Sequence, residues 1–209
     1  MSRVSSSVTW PTIAREDYLR MLDRHCPFWS ALHEFAYANG ITSMIEAGCG
    51  AAQFCSAVDS YTGIDMNAKV LKDNERFYGT GEWINDDWLA MDVSRLQADL
   101  FVSASLIEHC ESYEPFLRQV MIVQPKYAVV TFHKGLRDAN IISRRHGFYD
   151  NFYCRANVVR WLADNVYGTW RIFTLPLSRA QRNRWDSVLV IDWTGTAKLE
   201  MWEKRNVTS

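Results

Sequence analysis

Within the 209 residues, the stretch richest in chemistry is Ile45-Glu46-Ala47-Gly48-Cys49-Gly50-Ala51-Ala52. Two glycines one residue apart let a backbone turn tightly and approach a ligand closely. Nineteen residues after Glu46, Asp65 closes the run Thr62-Gly63-Ile64-Asp65-Met66. A carboxylate at such a strand end accepts both hydroxyls of a ribose. A dinucleotide turn requires a third glycine, but Gly48, Gly50 and Gln53 read Gly-x-Gly-x-x-Gln. Glu46, two residues before the first glycine, would repel a pyrophosphate and would attract a cation by charge and hydrogen bonding. The spacing therefore predicts a nucleoside site for a cationic ligand. Cys49 reads as a small turn residue, since no base is visibly paired with it.

Other site chemistries are missing from the pattern. The five cysteines are scattered at 26, 49, 55, 110 and 154 with no Cys-x-x-Cys pair, and the five histidines form no His-Glu-x-x-His pattern, so no metal site is expected. Reduced thiols in a cytoplasmic protein are the simplest reading. No run approaches ~18 apolar residues, so no membrane span is expected. The Ser-rich start has no hydrophobic signal core.

Those residues must be held by an alternating scaffold. A helix over 12–25, with Thr12 as N-cap, and a second from Pro27 to Asn39-Gly40 precede the first strand and form a flank or lid over 1–40. Residues 41–209 then read as one globular unit. Strands are predicted over 42–46, 61–65, 82–85, 100–103 and 127–132, and helices over 51–58, 68–77 and 113–123. Apolar strands alternating with helices predict an α/β fold, a mostly parallel sheet covered on both faces. A polar stretch, 133–153, precedes a helix over 155–165. Two final strands, 170–175 and 187–193, flank a basic loop with Arg179, Arg182 and Arg184 and predict a C-terminal antiparallel hairpin.

Residues 44–135 resemble class I S-adenosylmethionine-dependent methyltransferases, specifically the broad small-molecule group whose first motif reads acid-x-Gly-Cys-Gly-x-Gly. Here that motif is Glu46 to Ala52, with Ala52 in place of the usual third glycine. The resemblance implies a Rossmann-like, seven-stranded sheet with its last strand antiparallel, and S-adenosyl-L-methionine as cofactor. It implies that Asp65, with Met66 beside it, meets the ribose, and that Asn85-Asp86-Asp87-Trp88 is the third motif. There Asp87, or next Asp86, would meet the adenine amino group and Trp88 would wall the ring. The run from Leu100 to His109 resembles the family's fourth-strand motif and adds Ser103 to the cofactor set of Glu46, Gly48, Cys49 and Gly50.

Methyl transfer from a sulfonium is an in-line displacement that positioning can largely drive. A base is needed only where the acceptor carries a tightly held proton. Two histidines follow strand ends, His109 after the fourth and His133 after the fifth, and either is a candidate base. The acceptor is expected over 133–153, from Arg144, Arg145, His146, Tyr149, Asn151 and Tyr153. From the N-terminal segment, Trp10, Arg15 and Tyr18 are expected to close over the cofactor.

The formal net charge of −1 conceals an asymmetry. Residues 1–110 carry 8 Lys/Arg against 15 Asp/Glu, and 134–184 carry 10 against 3. A basic acceptor side predicts a small, anionic acceptor. A nucleic-acid acceptor is the alternative that the same charge allows, although no Asn/Asp-Pro-Pro-aromatic signature is present. A non-catalytic protein of the same fold is the other.

Overall fold

The computed structural model describes residues 26–133, 135–145, 148–176 and 185–207. The elements run α1 (Cys26–Ala38), β1 (Ser43–Ala47), β2 (Ser60–Ile64), α2 (Ala68–Tyr78), β3 (Glu82–Ile84), β4 (Leu100–Ser103), α3 (Tyr113–Val123) and β5 (Tyr127–Phe132). There follow β6 (Arg144–Arg145), β7 (Phe148–Tyr149), α4 (Arg155–Asn165), β8 (Thr169–Pro176), β9 (Trp185–Asp192) and the short α5 (Glu200–Glu203). One sheet takes the order β3-β2-β1-β4-β5-β9-β8. Strands β1 to β5 pair in parallel, and β9 runs antiparallel to both β5 and β8. This is the seven-stranded, mostly parallel Rossmann-like sheet, with the expected antiparallel hairpin at its end.

Strand alternation divides the core into two layers. Met44, Val102, Val129 and Val190 face α1 and α5, where Phe28, Leu32, Phe35 and Trp202 are buried. Ile45, Phe101, Val130 and Leu189 face α3 and α4, where Phe116, Leu117 and Leu162 are buried. The interior strand β5 is buried along its whole length, as a strand covered on both faces must be. Helix α1 is thus a flank of the sheet. The expected helix over 12–25 lies outside the described residues, and so do Trp10, Arg15 and Tyr18.

The predicted helix over 51–58 does not form. The chain there makes turns and a single 3-10 turn over Cys55–Ala57. The backbone reason is Ala52, whose left-handed φ of 51° a right-handed helix cannot accommodate; Gly48 and Gly50 just before it are left-handed as well, at 70° and 48°. Ala52, standing where the resembled motif has glycine, keeps glycine-like backbone geometry, at a cost of roughly 1 kcal/mol for a residue with a Cβ. Its methyl is fully buried in the core layer with Phe54. A second departure lies within 133–153, read as a polar stretch, where β6 and β7 pair as a small antiparallel hairpin. No described helix is long and apolar enough to cross a membrane.

Candidate active site

The parallel strands end on one side of the sheet, and the candidate residues collect there. At the end of β1 the amides of Gly48 and Cys49 donate to the Ile64 carbonyl at 2.8 and 3.1 Å, which closes the turn onto β2. Asp65 completes the link: its Oδ2 accepts from the Gly50 amide at 3.0 Å and its Oδ1 from the Asn67 amide at 2.8 Å. Each carboxylate oxygen has a second lone pair, so a diol can still be accepted. Burial raises the Asp65 pKa while these two amides oppose the rise. Helix α2 braces the turn from outside, Asn74 Nδ2 donating to the Gly50 carbonyl at 2.7 Å and the Tyr78 hydroxyl to Ala51 at 3.1 Å. A Cβ on Gly48 would come within 3.1 Å of Leu106, besides requiring left-handed φ. Only glycine fits that point without displacing the chain.

Glu46 is 2% exposed, and the Tyr61 hydroxyl donates to its Oε2 at 2.5 Å. Burial, with Asp65 nearby, pushes its carboxyl up to about 8 against the pull of the Tyr61 hydrogen bond. A buried acid next to a nucleoside turn is matched to a ligand that brings positive charge. Ser103, at the end of β4, is fully buried and its Oγ has no hydrogen-bond partner among the described residues. A buried hydroxyl so placed is a ready contact for a ligand's polar group. Burial drives the Cys49 thiol far up, so it is a wall atom and not a nucleophile.

The loop after β3 is anchored by Asn85, whose Nδ2 donates to the Asp65 carbonyl at 3.0 Å. Asp86 Oδ1 accepts from the Asp87 amide at 2.8 Å, and Asp87 Oδ1 from the Leu89 amide at 3.0 Å, so both acids shape this loop. Trp88 is buried, with its ring 4.9 Å from that of Phe101 and 6.0 Å from that of Phe116. Its described contacts are with the core layer beneath the site. Met66 is 40% exposed beside Asp65, open to a ligand.

On the acceptor side, β4 leads into a 3-10 turn, Ile107–His109. His109 Nδ1 lies 2.7 Å from the Tyr149 carbonyl, which ties the turn to the β6–β7 hairpin. Asn151 and Tyr153 are each 3% exposed. The Asn151 Nδ2 donates to the Cys110 carbonyl at 2.9 Å, and the Tyr153 hydroxyl donates to Ile107 and Cys110 at 3.0 and 2.8 Å. They hold the turn's carbonyls. Arg144 lies over the Tyr149 ring, 4.5 Å from its centroid, and donates to its hydroxyl. His146, the Arg145 side chain and Arg179, Arg182 and Arg184 lie outside what the structure describes.

Two acids not anticipated from sequence complete the picture. Asp186 is 4% exposed in its side chain, and its Oδ1 is 3.3 Å from His133 Nδ1. Glu108 is 3% exposed, and its Oε2 lacks a hydrogen-bond partner among the described residues. Burial raises its pKa, and His109 and His133 act against that rise. The hairpin register carries the signal for Asp186: Phe132 pairs with Ser187, so residue 133 falls opposite 186. Nothing in the sequence marks Glu108 as buried. Among the described residues there is no cluster of three or more side chains able to hold a metal. An open groove of about 520 Å³, lined by His33, Tyr37, Thr42 and Ser56, lies at the amino end of β1, away from all of these groups.

The comparisons agree with this geometry. Residues 45–124 match the methyltransferase-domain family. No curated protein matches the sequence. Among solved structures, the chain is similar to the 1,6-didemethyltoxoflavin N1-methyltransferase of Burkholderia thailandensis, bound to 1,6-didemethyltoxoflavin and S-adenosylhomocysteine. That match has 12% identity, 90% of this chain and 93% of that one covered, and a TM-score of 0.65. It is also similar to magnesium protoporphyrin IX methyltransferase from Synechocystis with bound S-adenosylmethionine, at 13% identity, 86% and 83% covered and a TM-score of 0.61. A third likeness is to the small RNA methyltransferase HEN1, at 13% identity, 82% and 26% covered and a TM-score of 0.56. At such identities the likeness is one of fold, and the matched family covers the segment that holds the glycine turn, Asp65 and Glu108. Residues 45–124 thus match a methyltransferase-domain family, and the chain has the fold of solved S-adenosylmethionine-dependent methyltransferases.

Proposed function

We propose that the protein transfers a methyl group from S-adenosyl-L-methionine to a small, anionic acceptor. The observation that carries this reading is the closed turn from Gly48 to Gly50, bonded to Asp65 and set beside the buried acid Glu46. In it Gly48, Cys49 and Gly50 would supply close backbone approach. Asp65, with Met66, would take the ribose, Asp86 and Asp87 would border the base above the core-packed Trp88, and Glu46 and Ser103 would meet the charged amino-acid end. The bound cofactor supplies an activated methyl group, so the protein's task is mainly placement.

His133 is favoured over His109 as the base. The His109 ring is engaged with the Tyr149 carbonyl, whereas the His133 ring is 27% exposed at the end of β5 and backed by a buried carboxylate. An anionic acceptor is supported by Arg144 beside the His109 turn. It is supported further by composition, since residues 134–184 carry 10 Lys/Arg against 3 Asp/Glu. Two of the structural relatives are methyltransferases named for small molecules, 1,6-didemethyltoxoflavin and magnesium protoporphyrin IX.

The test is to incubate the protein with methyl-labelled cofactor and, separately, a fractionated small-molecule extract and a total RNA preparation. Label is expected in an anion-exchange-retained small-molecule fraction. Label in the RNA, with binding that falls steeply as salt rises, would replace this reading with the nucleic-acid one. Cofactor binding without label anywhere would leave a non-catalytic protein of this fold.

A further inference from the structure

Strand β9 enters the sheet antiparallel to β5, with Thr131 opposite Val188 and Phe132 opposite Ser187. Continuing that register one step sets His133 against Asp186, both at the carboxyl end where the cofactor turn lies. The separation of 3.3 Å between His133 Nδ1 and Asp186 Oδ1 agrees. The two groups differ in access: the ring is 27% exposed and the carboxylate 4%.

The backbone carrying His133 is fixed by the residue next to Asp186. Ser187 Oγ accepts from the Leu136 amide at 3.0 Å. The Gly135 amide bonds the Phe132 carbonyl at 3.0 Å, and Gly135 takes a φ of 76°. A Cβ there would approach the Trp185 carbonyl to 3.2 Å. The turn cannot swing without breaking these contacts. Glu108 adds a second buried carboxyl, close enough to feel His109, His133 and Asp186 together. Among the described residues, the titratable groups facing His133 are Glu108 from the turn after β4 and Asp186 from β9.

We propose that Asp186 is a positioning residue that fixes His133 as proton acceptor, and that the methyl acceptor is an O–H or N–H nucleophile that must lose its proton. This rests on the methyl-transfer reading above. The acceptor heteroatom gives an electron pair to the methyl carbon, and the carbon–sulfur bonding pair stays on sulfur. The heteroatom's proton passes to His133 Nε2. The positive charge that began on the sulfonium thus ends on the imidazolium, where the Asp186 carboxylate faces it from Nδ1. A carboxylate behind a histidine sets the tautomer and stabilises the imidazolium in this way. Such contacts are often long before the substrate binds and tighten on binding.

The experiment is histidine-ring NMR of the full chain, labelled at histidine, with S-adenosylhomocysteine present and His133→Gln used for assignment. In the wild type His133 is expected as the Nδ1–H tautomer. In Asp186→Asn its proton affinity should fall about tenfold, a shift of about one pH unit in its midpoint. Asp186→Glu should restore most of it. An unchanged midpoint in folded Asp186→Asn would overturn the proposal. Should that variant not fold, the wild-type tautomer decides alone: Nε2–H with ordinary proton affinity overturns it. Calorimetry of wild-type protein with S-adenosylhomocysteine separates the two failures, because absent binding sinks the methyltransferase reading and leaves the dyad untouched.

Discussion

Asp65 and Gly50 are joined by a hydrogen bond of 3.0 Å from the glycine amide to Oδ2, which fastens the end of β2 to the turn that leaves β1. One carboxylate therefore serves two purposes. It shapes the glycine turn from within, and in the proposed function its remaining lone pairs would take the ribose hydroxyls.

Glu46 makes stability depend on pH. Its carboxyl, pushed up to about 8 by burial, holds its proton more tightly folded than unfolded, where the ordinary value is 4.5. The raised value means that this contribution is complete below about pH 4.5 and is lost as pH rises through 8. Urea unfolding at pH 6 and pH 9 should show the protein less stable at the higher pH, by on the order of a few kcal/mol. Glu46→Gln should remove most of that difference.

The same acid couples protonation to cofactor binding. A cationic methyl donor favours the ionised carboxylate, so binding at pH 7 should release close to one proton. Calorimetry in buffers of different ionisation enthalpy reads this directly. Release should disappear in Glu46→Gln, and equal heats in all buffers for the wild type would refute the coupling.

Gly48→Ala should be costly twice over, since the added methyl meets Leu106 at 3.1 Å and the backbone is left-handed. The left-handed conformation alone costs roughly 1–2 kcal/mol. Thermal unfolding should move down by several degrees, and S-adenosylhomocysteine affinity should drop with it.

Tyr153→Phe separates scaffold from substrate contact. The hydroxyl bonds the Ile107 and Cys110 carbonyls and is buried, so its loss should destabilise the fold by about 1–2 kcal/mol in urea. Cofactor affinity should be unchanged.

The fold was legible where apolar strands alternate with capped helices, because a parallel sheet buried on both faces leaves that pattern in the chain. Asn67 and Gly79, at the ends of α2, are the sort of caps such a reading relies on. The turn after β1 was misread as a helix over 51–58 because Ala-rich composition outweighs glycine locally, while the backbone there is bent left-handed at Gly48, Gly50 and Ala52. The glycine turn and Asp65 were legible as a pair of short motifs, and the structure joins them through the Gly50 amide. The acceptor side was less so. Asn151 and Tyr153 are polar, yet they are buried to satisfy the carbonyls of a distant turn, and no local pattern distinguishes that from facing a ligand. Asp186 meets His133 only through the register of a hairpin more than fifty residues along.

The central claim is that this turn binds S-adenosylmethionine. Calorimetric titration of the wild-type chain and of Asp65→Ala with S-adenosylhomocysteine tests it most directly. A single saturable site is expected in the wild type. In Asp65→Ala, where the hydrogen bonds of a charged acceptor are lost, affinity should fall at least tenfold, corresponding to about 1.5–3 kcal/mol per bond. No binding of either nucleoside by folded wild-type protein, or equal affinity in both proteins, would contradict it.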